Sequence, residues 1–152
     1  MSGENSAVWV IDDDGPLRYL SAAGVRLSGY TGAIVQLETA DRAIELYNKG
    51  ERPTAAVCDN STPPGERTGL DLLYQMRKPL EDVPEEERDY IPFVLVATIV
   101  REQDKERLDR FMVSGRTRAF RYLRKPALPS KIAEAVKEVL AEAKPISSPP
   151  SS

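Results

Sequence analysis

The chain has 152 residues, a formal net charge of −3 and a hydrophobic share of 41%, enough for one domain with a packed core and too little for two of ordinary size. So small an acidic excess gives no bulk attraction to nucleic acid or to an anionic membrane. The longest apolar stretch, around Phe93 to Val100, falls far short of the ~20 residues of a transmembrane helix, and the first residues lack the apolar region of a signal peptide. A cytoplasmic location without membrane or direct nucleic-acid contact is therefore expected. The sequence contains no histidine, which removes Ser-His and Cys-His nucleophile pairs, most zinc sites and any histidine base. A single cysteine, Cys58, cannot form an internal disulfide and reads as a small buried residue.

Taken in chain order, short apolar runs alternate with helical patterns. Residues 7–11 form a strand expected to be buried on both faces. Gly15-Pro16 opens a helix reaching about Leu27, because proline suits a first helical turn, and Asp14 stands where a cap belongs. Ala33–Leu37 is a second strand and about Ala40–Asn48 a second helix, stopped by Gly50. Ala55–Cys58 is the third strand, and Gly69–Arg77 the third helix, with Leu70, Leu73 and Tyr74 at helical spacing. The segment from Lys78 to Tyr90 holds six acids and two prolines and reads as an exposed acidic loop. Phe93–Ala97 is the fourth strand, about Glu102–Val113 a charged helix, Ala119–Leu123 the fifth strand and Ser130–Glu142 the last helix. Residues 1–6 and 143–152, the latter rich in Ser and Pro, read as tails flanking a domain of residues 7–142. Such alternation implies a parallel sheet covered on both faces, with its ligand site at the carboxyl ends of the strands.

The polar residues at those ends form a constellation. Asp12 and Asp13 follow the first strand, Asp59 the third, Thr98 the fourth, and Lys125, before Pro126, the fifth. Carboxylates brought this close repel one another unless a cation binds them, which suggests a magnesium site. An aspartate can attack a phosphoryl group. A divalent cation and a lysine would offset the charge of the incoming group, and a threonine hydroxyl would donate a hydrogen bond to it.

On these motifs, Ile11-Asp12-Asp13, Asp59 followed by Pro63 and Gly69-Leu70, Thr98, and Tyr122-Leu123-Arg124-Lys125-Pro126, the chain resembles a receiver domain of bacterial two-component response regulators. The resemblance spans roughly residues 7–142. It implies a flavodoxin-like (βα)5 doubly wound parallel sheet of strand order 2-1-3-4-5. It makes Asp59 the phosphoacceptor, with Mg2+ held by Asp12, Asp13, Asp59 and the backbone carbonyl of Ser61. Lys125 and Thr98 would contact the phosphoryl group, and Thr98 and Tyr122 would form a switch. The phosphoryl donor would be a sensor histidine kinase or a histidine phosphotransfer protein, which accounts for the missing histidine. An output protein or domain would meet the face built from the 102–113 helix, the fifth strand and the last helix, with room for a phosphorylation-dependent dimer. The chain would be no metabolic enzyme but would catalyse its own aspartyl phosphorylation and dephosphorylation. The connection from Asn60 to Gly69 is longer than usual in that family, as are the segments before the fourth strand and between Gly115 and Lys125.

Two other readings compete. Asp12-Asp13-Asp14-Gly15 also resembles the nucleophile motif of haloacid dehalogenase-type phosphohydrolases, with Asp12 phosphorylated and Asp14 as acid/base, but Asp59 then has no role. A receiver-like scaffold acting without phosphorylation is the second. The basic run Arg116, Arg118, Arg121 and Arg124, with Phe120 and Tyr122 interleaved, suggests nucleic acid superficially and a solvated or protein-binding face more readily.

Overall fold

The computed structural model describes residues 7–60, 67–97, 105–106 and 118–143. Five parallel strands, β1 (Ala7–Ile11), β2 (Ala33–Leu37), β3 (Ala55–Asp59), β4 (Phe93–Ala97) and β5 (Phe120–Arg124), lie in the order β2-β1-β3-β4-β5. Four helices are described: α1 (Gly15–Leu27), α2 (Ala40–Asn48), α3 (Gly69–Arg77) and α4 (Pro129–Glu142). The expected helix over 102–113 lies outside the described residues apart from Lys105 and Glu106, which are helical and exposed.

Period-two alternation along the buried strands separates two cores. Trp9, Ile11, Ala56, Cys58, Phe93 and Leu95 pack with Ile44, Leu70, Leu73 and Met76 of α2 and α3. Val8, Val10, Ala55, Val57, Val94 and Val96 pack on the other face with Val25 of α1 and Ile132, Val136 and Val139 of α4. Every residue of β1, β3 and β4 is buried, as expected of strands covered on both sides. Close approach of α1 and α4 depends on Gly24: a Cβ there would stand 2.7 Å from Ile132 Cβ and 2.9 Å from the Pro129 carbonyl oxygen.

Four expected boundaries move, one of them the end of β5, which runs on to Arg124. β3 extends to Asp59, and α4 begins at Pro129, whose fixed φ suits the first helical position. β5 starts at Phe120 rather than Ala119, because Ala119 has φ 61° and left-handed backbone cannot continue a strand.

The acidic segment is exposed over most of its length, as expected, but has local order. It contains two short 3-10 turns, Lys78–Leu80 and Glu85–Glu87, and ends on Tyr90, which is buried. The Tyr90 hydroxyl donates to Glu85 Oε2 at 2.8 Å and accepts from Arg88 Nη1 at 3.1 Å. The guanidinium carbons of Arg77 and Arg118 lie 4.1 and 4.6 Å from its ring centroid. Arg77 is itself buried and donates to the Ala119 carbonyl at 3.2 Å; burial lowers its pKa to about 10, so it stays charged at neutral pH. Two arginines of the basic run are thus engaged within the fold: Arg118 at Tyr90 and the Arg88 carbonyl, Arg121 with Glu138 and Glu142.

The Gly24→Ala variant tests the α1–α4 contact. Helix propensity alone favours alanine by about 1 kcal/mol. The clash should outweigh this and lower stability by about 1–3 kcal/mol in urea unfolding, whereas a gain in stability would contradict the close packing.

Candidate functional site

The first half of the site is built where β1 runs out. Asp12 extends the ladder by one bond, its amide donating to the Leu37 carbonyl at 3.1 Å. Its carbonyl accepts from Arg18 Nη1 at 2.7 Å, and Oδ1 accepts from the Asp14 amide at 2.9 Å. Asp12 is consequently held from three directions and buried, while Asp13 is exposed. Asp14 does what its position suggests: it is the N-cap of α1, and Oδ1 accepts from the Leu17 amide at 3.0 Å.

Asp59 ends β3 and is buried like Asp12. Gly69, the first residue of α3, lies against this strand end. A Cβ on it would come within 2.9 Å of Leu95 Cδ1, 3.0 Å of Cys58 Sγ and 3.2 Å of the Asp59 carbonyl. Cys58 faces inward there. Burial, with Asp59 and Asp12 nearby, pushes its thiol well above the ordinary value and leaves it a packing residue.

Lys125 follows β5, with its amide donating to the Ala97 carbonyl at 3.0 Å and a cis bond to Pro126. Its Nζ stands 3.0 Å from Asp59 Oδ1 and 4.0 Å from Asp12 Oδ2. Asp12, Asp13 and Asp59 each offer a carboxylate oxygen, and the three oxygens lie within 4.8 Å of one another. Like charges ~4 Å apart repel by about 4 kcal/mol at an effective dielectric of ~20. One ammonium cannot neutralise three carboxylates. Burial raises the pKa of Asp12 from 3.8 to about 6, with the charges of Asp59 and Asp13 adding to it, against the Asp14 amide and Lys125, which lower it. All the converging donors are hard oxygens, a set that suits a small divalent cation such as Mg2+ or Mn2+.

Five of the seven residues expected at the site are described. Asp12, Asp13, Asp59 and Lys125 are brought together. Tyr122 lies on β5, paired with Leu95 of β4, and is partly buried against the α2/α3 core. Thr98 and Ser61 lie outside the described residues. Two side chains that sequence reasoning passed over also serve the site. Arg18 bonds the Asp12 carbonyl, and Asn60, buried beside Asp59, accepts from the Leu70 amide at 3.0 Å. Neither stands at a spacing that local periodicity would single out.

The fold has counterparts among solved structures. A CheY-like response regulator receiver domain protein from Methanospirillum hungatei superposes with a TM-score of 0.63 at 19% identity, covering 91% of this chain and 95% of that one. The chain has the receiver-domain fold. A DNA-binding response regulator of the LuxR family from Staphylococcus aureus matches with a TM-score of 0.63 at 19% identity, over 89% of this chain and 98% of the other. The Mn2+-bound form of response regulator Rcp1 matches with a TM-score of 0.57 at 17% identity, over 87% and 89%. No protein-family model matches the sequence, and no curated protein does. The strand order expected from the motifs is therefore the observed one, and the acidic cluster sits at the carboxyl edge of the receiver sheet. Among the described residues, no helix is long and apolar enough to cross a membrane.

The raised pKa of Asp12 sets a pH dependence. A carboxyl whose folded pKa exceeds its unfolded one adds stability only while protonated, fully below about pH 4 and lost as pH rises through about 6. In metal-free protein at pH 8 the ionised group is destabilising, so Asp12→Asn should be the more stable there, by about 1–2 kcal/mol once solvent screening of the partly exposed carboxylate is allowed for. The difference should shrink below pH 5; equal denaturant midpoints of wild type and variant at pH 8 would contradict it.

Proposed function

We propose that the chain is a phosphoacceptor of a phosphorelay, taking a phosphoryl group onto Asp59 in a Mg2+-dependent reaction and altering its partner contacts in response. The observation that carries this reading is the cluster itself: Asp12, Asp13 and Asp59 within 4.8 Å of one another and Lys125 Nζ 3.0 Å from Asp59, on a receiver fold. The Mn2+ of one structural neighbour is in keeping with the hard-oxygen donor set.

Asp59 is the nucleophile. A carboxylate oxygen forms a bond to phosphorus as the bond from phosphorus to the donor's imidazole nitrogen breaks, and the electron pair leaves with the imidazole. Asp12, Asp13, Asp59 and the Ser61 backbone carbonyl would hold the Mg2+, which would supply positive charge against the oxygens of the transferring group. Lys125 shifts from its pairing with the Asp59 carboxylate to the new phosphoryl oxygens. Thr98 donates a hydroxyl hydrogen bond to the same group. The donor is a histidine kinase or a histidine phosphotransfer protein, since this chain contains no histidine of its own. A phosphoryl group carrying nearly two negative charges then biases Thr98 and Tyr122, and the face of the 102–113 helix, β5 and α4 meets an output protein or a second copy. A cytoplasmic location goes with this role. The domain boundaries at residues 7 and 142 belong to the same reading. The phosphohydrolase alternative leaves Asp59, and its pairing with Lys125 at 3.0 Å, without a role.

Incubation with acetyl phosphate and Mg2+ should yield a phosphoryl adduct by intact-mass analysis, absent from Asp59→Asn and abolished by EDTA. Label kept in Asp59→Asn and lost in Asp12→Asn would point to the hydrolase instead. Lys125→Gln should retain metal binding and slow labelling by about 10- to 100-fold, because it removes charge stabilisation from the transfer itself. Beryllofluoride with Mg2+ should change amide exchange over residues 98–124, and an unchanged pattern there would count against the switch.

A further inference from the structure

Asn60 has no part in the chemistry above, yet it is buried immediately beside the phosphoacceptor. Its amide donates to the Val96 carbonyl at 2.9 Å, carrying the β3–β4 ladder one residue past Asp59. Its side chain reaches the other way. The first turn of α3 has amide donors with no partner inside the helix. A capping box satisfies two of the amides here: Thr68 Oγ1 accepts from Asp71 at 3.3 Å and Asp71 Oδ2 accepts from Thr68 at 2.7 Å. The Leu70 amide is met instead by Asn60 Oδ1 at 3.0 Å, across ten positions of sequence and in a buried setting. Gly69 makes the reach possible by letting α3 start against the Asp59 carbonyl.

We propose that Asn60 is a positioning residue for the phosphoacceptor, clamping the carboxyl end of β3 to the start of α3 so that Asp59 keeps its aim at the metal and at Lys125. The inference rests on the phosphoacceptor reading. Its physical basis is the length of the connection between Asn60 and Gly69: a long connection constrains its ends weakly, so the strand end needs a direct tie to the helix. A short, uncharged acceptor suits this place, since it meets one amide without adding a further negative charge beside Asp59.

The test compares wild type with Asn60→Ala, with Asn60→Asp, which keeps the acceptor, and with Val139→Ala, a truncation in the distant α1/α4 core. Two quantities are read: hydrogen exchange at the Leu70 amide, and Mn2+ affinity by calorimetry. Asn60→Ala should lose Leu70 protection and weaken Mn2+ binding by about 10- to 100-fold, the usual effect of removing a group that orients metal ligands. Asn60→Asp, which keeps the acceptor but adds a charge beside the site, should restore Leu70 protection, and Val139→Ala should leave Mn2+ affinity unchanged. If Asn60→Ala does not fold, Asn60→Ser, too short to reach Leu70, carries the same expectation. Wild-type Mn2+ affinity in the Ala or Ser variant, an equal loss in Val139→Ala, or no rescue of Leu70 protection by Asp would overturn the positioning role alone. Failure of the wild-type chain to bind Mn2+ would overturn the phosphoacceptor reading and this role with it.

Discussion

Three carboxylates and one ammonium share the open edge of the sheet, and most of the surrounding architecture exists to hold them there. Left free, Asp12, Asp13 and Asp59 would move apart, because their mutual repulsion is not offset by Lys125 alone. They are denied that escape by backbone bonds. Asp12 is tied to Leu37 on one side and to Arg18 on another, while the strand that carries Asp59 runs on through Asn60 into a bond with Val96. Lys125 is fixed by its own amide to Ala97. The site is thus a preorganised negative cluster; the raised pKa of Asp12 comes first from its burial at this edge and then from the neighbouring carboxylates.

The two cores beneath it supply the rigidity. Residues of β1, β3 and β4 alternate between the α2/α3 face and the α1/α4 face, so each strand end is located by packing on both sides. Glycines at two contacts bring helices closer than any side chain would permit: Gly24 sets α1 against α4, and Gly69 sets α3 against the end of β3. Away from this edge, where Tyr90 precedes β4 and Arg118 precedes β5, the charge problem is of the opposite sign. Three arginines, Arg77, Arg88 and Arg118, gather at Tyr90, with Glu85 as the acid in hydrogen-bond contact with the ring hydroxyl. The acidic insert brings that glutamate and that tyrosine. One of its acids, Glu85, therefore serves the fold locally, and two arginines of the basic run near β5, Arg118 and Arg121, find partners inside the protein.

Much of this could be read along the chain. The strands with continuous apolar runs and the helices with clear apolar stripes fall where periodicity puts them, and Asp14 caps α1 as its place before Gly15-Pro16 suggests. The misreadings have physical causes. Ala119 belongs to the pattern of a strand by composition, but its carbonyl accepts from both Phe93 and Arg77 and its backbone turns left-handed. The segment before β4 is exposed over most of its length, as its acids suggest; what composition did not show is its buried end, Tyr90 among the arginines. Asn60 and Arg18 escaped notice because their partners, Leu70 and the Asp12 carbonyl, are set by chain crossings that no local spacing encodes.

By itself, the sequence determined which residue types end each strand, and so which chemistry the sheet edge can support. Hydrophobic alternation and the positions of Gly and Pro are local properties, and they specify the elements without reference to one another. Distances, burial and pKa belong to the tertiary structure. Whether Asp12 and Asp59 lie near enough to repel, whether one lysine reaches both, and whether Asp13 stays in solvent depend on strand order and register. Electrostatic coupling falls with distance and rises with burial, and neither quantity exists until β1, β3 and β5 have been assembled side by side with β4 between them.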